Sequence, residues 1–131
     1  MRQGAAAPGS AAKEAVPWAD LGAQCVIDDD AVQKYVLIEV ERSRLFVRGS
    51  ESAAYHKDAA RPFTAQCRKL GVAYDVLGGG RIEHSTSAKT IKVYGFSYGF
   101  PWRGAPLHEE AAKLLRRDYP SFTVTTSNEG Y

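Results

Sequence analysis

The sequence predicts a single domain of the α/β (α+β) class, with a mixed sheet of about six strands flanked by two main helices. Short segments rich in β-branched and aromatic residues recur between residues 31 and 126. Two longer amphipathic segments, residues 50–71 and 107–119, interrupt them with helical spacing of apolar residues. A chain of 131 residues has the size of one domain and can bury one core without disulfide or metal cross-links.

The first segment, MRQGAAAPGSAAKEAVP, is rich in Ala, Gly, Ser and Pro. Such a composition offers little apolar surface for a core, so we predict a flexible tail over residues 1–24 and a folded domain over residues 25–131. A transit peptide is the alternative, but only Arg2 supplies the arginine that such peptides contain in number. Because no apolar run suits a signal peptide or a membrane span, we expect a soluble, cytoplasmic protein.

The net charge of +2 is too small to indicate a nucleic acid or a membrane as the main partner. Cys25 and Cys67 have neither metal-ligand nor redox spacing, which indicates free thiols in a reducing compartment. Three adjacent acids, residues 28–30, would point in alternating directions in an extended chain. They therefore predict a solvated turn rather than a metal site.

The segment VQKYVLIEV predicts a central strand, because it is apolar on both faces, as in a sheet covered on both sides. Lys34 shares a face with Val36 and Ile38, so its ammonium group extends to the rim of the sheet or towards a site there. The next segment, RLFVRG, predicts a short strand that ends at Arg48 and Gly49.

The segment SESAAYHKDAARPFTAQCRKLG predicts the first helix, with a Ser-rich start and a stop at Gly71. Its stripe of apolar residues at helical spacing predicts a core-facing side. Pro62 lies inside it and predicts a kink or a break between two helical pieces. His56 falls in the first turn.

The second half predicts three strands, a loop, a helix and a last strand. The first strand ends at Leu77, a triple glycine follows as a tight connection or a close approach to phosphate, and strands 81–84 and 90–96 come next. FPWRGAP predicts a loop, LHEEAAKLLRRDYP an amphipathic helix and SFTVTT a strand. The predicted order is ββαβββαβ.

Several catalytic signatures are missing from the sequence, including a Walker loop, the HExxH motif and the G-x-S-x-G elbow. The three histidines are too dispersed to indicate zinc. His56 is the candidate for chemistry, because the positive end of a helix favours a neutral imidazole and binds anions. A surface residue without a role is the alternative for His56. We expect His84 to be structural and His108 to lie on the surface.

Six segments in order resemble the small phosphohistidine phosphatase family, also called the Janus/Ocnus family: KYVLI, VRG…AAYHKD, LGGGRIEH, IKVYGFSYG, YPSFTV and NEGY. The resemblance runs from about residue 32 to residue 131. It implies a metal-independent protein phosphatase without a cofactor that hydrolyses phosphohistidine and, to some extent, phospholysine. It also implies phosphohistidine-containing proteins as partners, a phosphate or sulfate anion in the pocket, and a monomer.

By this resemblance the essential histidine falls on His56, and the active-site lysine and arginine fall on Lys34 and Arg81. The positions that line the phosphate pocket fall on Arg48, Tyr55 and Ser97. Whether the histidine attacks phosphorus or activates water stays open at this point. So do two non-enzymatic alternatives. One is a phosphate-recognition module. The other is a regulatory or developmental interaction protein, whose interactions the tail and an insertion at residues 100–106 would serve.

Overall fold

A computed structural model describes residues 15–128, which form two helices and one six-stranded sheet. The strands are β1 (Cys25–Val26), β2 (Ala31–Val40), β3 (Arg44–Ser50), β4 (Tyr74–Ser85), β5 (Thr90–Tyr94) and β6 (Thr123–Thr126). The helices are α1 (His56–Leu70) and α2 (His108–Asp118). A single domain with a mixed sheet and two helices was predicted, and the structure confirms it.

The strand order across the sheet is β1-β3-β2-β4-β5-β6. The pairs β1·β3 and β5·β6 are parallel and the other neighbours are antiparallel. Helix α1 packs on β2, β3 and β4, whereas α2 packs on β1, β3, β5 and β6. The two helices cover opposite faces of the sheet, so each face has its own core.

Strand β2 lies in the middle of the sheet and belongs to both cores, as its apolar sequence predicts. Val36 and Ile38 face α1, whereas Tyr35 and Leu37 face α2, and all four side chains are fully buried. Burying a side chain of this size stabilises the fold by about 1.5–3 kcal/mol. This strand therefore fixes the positions of both helices relative to the sheet.

The triple glycine is not the tight connection that the sequence predicted, because Gly78, Gly79 and Gly80 lie inside the single long strand β4. The element order is βββαββαβ, because the two strands predicted on either side of the glycines form one strand and because β1, which the sequence did not predict, precedes β2. A Cβ atom at Gly78 would overlap the indole ring of Trp102, and one at Gly80 would overlap the backbone of β5. The glycines let neighbouring groups approach the strand closely on both faces.

A β-bulge in β4 decides which face of the sheet the following residues occupy. Leu37 pairs with Gly78 and Ile38 pairs with Val76, so Leu77 is an extra residue in β4. A bulge of this kind shifts the alternation of side chains by one position. Beyond it, Arg81 pairs with Lys34, and both lie on the face covered by α1.

Helix α1 is continuous from His56 to Leu70 and passes through Pro62 without the break that the sequence predicted as one outcome. An interior proline costs about 3 kcal/mol because it removes one backbone hydrogen bond and crowds the preceding turn. The buried side chains of Phe63 and Cys67 offset that cost, because each turn of the helix is held against the sheet. Gly71 ends the helix in the left-handed conformation, at φ 70°.

The folded part of the chain begins earlier than residue 25, which is a correction to the predicted boundary. Residues 1–14 of the expected tail lie outside the described residues. In the remainder of it, Trp18–Leu21 form one turn of 3₁₀ helix that packs on the domain. The Trp18 ring stacks on that of Phe46, with 6.3 Å between centroids, and Leu21 is buried. These two apolar side chains supply the burial that the Ala-rich segment lacks.

Candidate active site

His56 is the first residue of α1, as predicted, and its side chain is only 7% exposed. Tyr55 precedes it in an extended conformation, and the Tyr55 N–H donates to a carboxylate oxygen of Asp58 at 3.0 Å. This local hydrogen bond fixes where the helix begins. The imidazole of His56 is thereby held between the start of α1 and the glycines of β4.

A single hydrogen bond decides the tautomer of His56. Its Nε2 atom lies 2.9 Å from the carbonyl oxygen of Gly80. Because a carbonyl can only accept, Nε2 carries the proton and the lone pair is on Nδ1. A Cβ atom at Gly79 would lie 2.9 Å from the Cδ2 atom of His56, so the Nε2–Cδ2 edge of the ring faces β4. Nδ1 is on the opposite edge.

The environment of His56 keeps the imidazole neutral. Burial is the main cause that lowers its pKa below the 6.5 of an ordinary histidine, and the positive charges of Lys34 and Arg81 lower it further. The hydrogen bond to the Gly80 carbonyl raises the pKa; its influence is smaller than that of burial but larger than that of either charge. At neutral pH the ring therefore has an available lone pair at Nδ1.

A cavity of about 600 Å³ opens beside this ring. Five of the six predicted site residues line it, namely Lys34, Tyr55, His56, Arg81 and Ser97. They come from β2, the start of α1, β4 and the loop after β5. The structure thus brings together two cations, two hydroxyl groups and a neutral imidazole from four separate parts of the chain.

Ser97 is buried at the base of the loop that follows β5. Its Oγ accepts a hydrogen bond from the Phe100 N–H at 3.1 Å, which folds the loop back on itself. The hydroxyl proton of Ser97 can then be donated to an acceptor in the cavity. The loop also brings Phe100 to the wall of the cavity.

Five further residues of the wall were not singled out in the sequence: Ala54, Lys57, Tyr98, Gly99 and Phe100. Tyr98 is 79% exposed and its ring meets that of Phe96 edge to face, so an aromatic pair stands at the rim. The Lys57 ammonium lies 5.6 Å from the centre of the Tyr55 ring. Ala54 and Lys57 flank the predicted pair Tyr55 and His56 in the sequence. Tyr98, Gly99 and Phe100 belong to the aromatic run GFSYGF, which was the signal that could have indicated these three.

Arg48 is the predicted residue that the structure does not bring into this cavity. Its guanidinium group donates to the carbonyl oxygens of Leu21 at 3.0 Å, Val47 at 3.0 Å and Gln24 at 3.3 Å, and lies 4.5 Å from the centre of the Phe63 ring. Burial lowers its pKa to about 10, so it stays charged at neutral pH. Arg48 anchors the segment before β1 to the domain.

His108 is buried, which corrects the expectation of a surface residue. Its Nε2 lies 2.9 Å from the carbonyl oxygen of Gly95, and its Nδ1 lies 2.6 Å from the hydroxyl oxygen of Tyr35. The carbonyl accepts from Nε2–H and the tyrosine donates to Nδ1, so both ring nitrogens are occupied. Its pKa is lowered, mainly by burial. Sequence position alone could not show that the side chain of the first residue of α2 points inward.

His84 is a structural residue, as the sequence predicted. It is 4% exposed, and its Nδ1 accepts a hydrogen bond from the Asp30 N–H at 2.8 Å. The ring also packs against Phe122, with 4.9 Å between centroids. His84 thus ties the acidic turn before β2 to the end of the sheet.

Both cysteines are free thiols, and neither is suited to nucleophilic chemistry. Burial raises the pKa of Cys67 to about 11 and that of Cys25 to about 12. A thiol with so high a pKa is not ionised at neutral pH, and the thiolate is the reactive form.

Within residues 15–128, no cluster of three or more His, Cys, Asp or Glu side chains is arranged to hold a metal ion. The same residues contain no helix long and apolar enough to cross a membrane.

Comparison with known proteins shows the family. A sequence model of the Janus/Ocnus family matches residues 22–123, so the chain belongs to this family, as the sequence resemblance indicated. It is 36% identical over 115 residues to a protein named 14 kDa phosphohistidine phosphatase from Sus scrofa, covering 80% of this chain and 89% of that protein. It is 38% identical over 109 residues to the sex-regulated protein janus-A of Drosophila yakuba, covering 80% of this chain and 78% of that protein.

Proposed function

We propose that this chain is a metal-independent protein phosphatase that hydrolyses the phosphorus–nitrogen bond of phosphohistidine, and to some extent of phospholysine. The observation that carries the proposal is the neutral His56, with its Nδ1 lone pair available, in a cavity that Lys34 and Arg81 also line. The 36% identity to a protein named for this activity supports it.

His56 would act through Nδ1. As a nucleophile, Nδ1 forms a bond to phosphorus while the bond from phosphorus to the substrate nitrogen breaks, and the leaving imidazole takes a proton from solvent. Water then hydrolyses the phospho-enzyme and releases inorganic phosphate. As a general base, Nδ1 would instead take the proton of an attacking water. Either role needs the tautomer with the proton on Nε2, which the hydrogen bond to the Gly80 carbonyl stabilises.

Lys34 and Arg81 would bind the phosphoryl group and stabilise the charge that spreads over its oxygens during transfer. Their backbones pair in adjacent strands, so both side chains lie on the face that α1 covers. The first N–H groups of α1 have no partner within the helix and can donate to the same anion. These fixed positive groups could replace the metal ion that many phosphoryl-transfer enzymes use.

The proposal includes phosphohistidine-containing proteins as partners, action as a monomer, a cytoplasmic location and no requirement for a cofactor. The exposed aromatic rings of Tyr55 and Tyr98 at the rim suit contact with a protein surface. Because other members of the family are named as sex-regulated proteins, a regulatory or developmental interaction protein is a competing function. A phosphate-recognition module that binds phosphorylated proteins without turnover is the other.

The test is release of phosphate from a phosphohistidine peptide by the wild type and by His56→Ala. We expect kcat to fall by at least about 100-fold in the variant, because the group that attacks or activates water is gone. Addition of a chelator should leave the turnover of the wild type unchanged. Rapid acid-free quenching followed by ³¹P nuclear magnetic resonance would show a phosphorylated His56 if the route is nucleophilic.

Lys113→Ala is the matched control, because Lys113 is exposed on α2, on the other side of the sheet from α1. It should retain wild-type turnover, and circular dichroism should show that both variants are folded. A His56→Ala variant with full activity would contradict the role of His56. A wild type that binds the phosphopeptide without releasing phosphate would favour the binding module, and a large loss on chelation would show a required metal.

A further inference from the structure

A groove continues from the cavity along α1 and has a volume of about 250 Å³. We call it the α1 groove and define it by Lys57, Arg61, Arg68, Val76 and Phe100. Lys57 and Phe100 line both the cavity and the groove, so the two spaces adjoin. A polypeptide whose phosphohistidine occupies the cavity can therefore extend into the α1 groove.

One wall of the α1 groove is a stripe of α1 that contains three cations. Lys57, Arg61, Thr64 and Arg68 are spaced by four, three and four residues, which places them on one side of the helix. The three charged side chains are on exposed residues. Asp58 pairs with Arg61 at 3.1 Å and offsets one of the three charges, and the wall keeps a net positive charge from the other two.

The opposite wall is apolar and comes from the edge of β4 and the loop after β5. Val76 and Phe100 are half-buried and pack against the core under α1. Tyr74 also lines the groove, and its hydroxyl accepts a hydrogen bond from Arg68 at 2.6 Å. The groove thus combines an apolar wall with a basic wall, which suits a polypeptide better than an inorganic anion.

We propose that the α1 groove binds an acidic segment of the phosphorylated protein, next to the phosphohistidine. The proposal rests on the proposed function, because it assigns the cavity to the phosphorylated side chain. From residue 57 to residue 68 the helix rises about 16 Å, and an extended chain covers that distance in about five residues. We therefore expect the groove to favour substrates whose acidic residues lie within about five positions of the phosphohistidine, on one side of it.

A nucleic acid or an anionic membrane is the less suitable occupant. Binding of such a polyanion is built up from many phosphate contacts, whereas the α1 groove has three cations, one of them paired with Asp58. The net charge of the whole chain is only +2. A short acidic peptide needs just two or three complementary charges for a modest preference.

The test compares three substrates. The first is a peptide in which Glu and Asp residues flank the phosphohistidine, the second is the same peptide with Gln and Asn in their place, and the third is free phosphohistidine. In the double variant Arg61→Ala/Arg68→Ala we expect kcat/KM on the acidic peptide to fall about three- to tenfold, mainly through KM, because exposed ion pairs are individually weak. The other two substrates should change less than twofold. The difference should shrink in 0.5 M salt.

The double variant Lys69→Ala/Lys113→Ala is the matched control, because it also removes two exposed cations but leaves the α1 groove intact. It should keep the preference for the acidic peptide. Equal losses on the acidic and neutral peptides, or no loss in the groove variant, would overturn the proposal. So would a labelled single-stranded oligonucleotide that binds more tightly than the acidic peptide and depends on the same two arginines.

A second measurement separates failure of the α1 groove from failure of the proposed function. The wild type and the groove variant are titrated with the unphosphorylated acidic peptide, and amide shifts along α1 are followed by nuclear magnetic resonance. Saturable shifts in the wild type that weaken at least threefold in the variant support the groove even if no substrate is hydrolysed. Shifts that are absent from α1, or equal in the two proteins, overturn it whatever the activity.

Discussion

His56 owes its tautomer and its neutral charge to groups that are distant in sequence. Gly80 fixes the proton on Nε2, and burial together with Lys34 and Arg81 lowers the pKa of the ring. His108 also begins a helix and also donates to a backbone carbonyl, that of Gly95 just after β5, yet its second nitrogen accepts a hydrogen bond from Tyr35. The difference between a candidate catalytic histidine and a structural one is therefore the partner of Nδ1.

At the residue scale, we predict that Lys34→Met raises the pKa of His56. Removing a nearby positive charge makes the imidazolium less unfavourable, so the shift is upward. The acid limb of the kcat/KM profile should move to higher pH with it, because that limb reports the free enzyme. Titration of the His56 ring by nuclear magnetic resonance measures the pKa directly. Lys113→Met is the control, and an unchanged pKa in Lys34→Met would place the ammonium group away from the ring.

Strand β4 positions the site through its glycines and its bulge. On one face Gly79 receives the edge of His56, and on the other Gly78 receives the ring of Trp102. The extra residue at Leu77 turns Arg81 towards α1 instead of α2. The strand thus serves as a platform for packing, and the glycines do not form a phosphate-binding turn.

At the element scale, we predict that Gly79→Ala destabilises the protein by about 1–3 kcal/mol, the usual cost of overpacking. The added methyl group would lie 2.8 Å from the backbone oxygen of Tyr35 and 2.9 Å from His56. Phosphatase activity should fall as well, because the ring must move. Urea denaturation gives the free energy of unfolding. Gly99→Ala is the control for stability, since its nearest neighbour would be 3.9 Å away, and equal stability of the two variants would refute the packing argument.

The whole molecule has a buried, neutral histidine at the start of each helix, and this arrangement links stability to pH. Burial lowers the pKa values of His56 and His108 in the folded state, whereas both rings titrate near 6.5 in the unfolded chain. Below pH 6.5 the unfolded state therefore binds more protons than the folded state. Their contribution to stability is complete above pH 6.5 and is lost as the pH falls through the folded pKa values.

At the scale of the whole molecule, we predict that the free energy of unfolding decreases between pH 7.5 and pH 5.5, and decreases less in His56→Ala. The variant lacks one of the two groups that take up a proton on unfolding, so its pH dependence is shallower. Carboxylates with lowered pKa values, such as Asp30 and Glu109, titrate below this window in both proteins. Urea denaturation at the two pH values measures the change. Identical losses in the two proteins would show that His56 is not protonated on unfolding.

The elements with strong local patterns were predicted from the sequence, and those that depend on distant contacts were not. The apolar run of β2 and the amphipathic stripe of α2 need no partner to be recognised. The triple glycine is typical of a turn, and only Trp102 and His56 packed against it explain a strand. Pro62 likewise predicts a break by its local effect, which the packing of α1 overrides.

By itself the sequence determined the class of fold, the place of His56 in the first turn of a helix and the family resemblance, because these follow from local spacing and from motifs in order. Tertiary structure alone decided that Arg81 faces Lys34, that Arg48 points elsewhere and that Nδ1 of His56 is available. The physical reason is that a bulge, a buried hydrogen bond and the approach of a loop depend on pairs of residues far apart in the chain. Side-chain direction and protonation are set by those pairs.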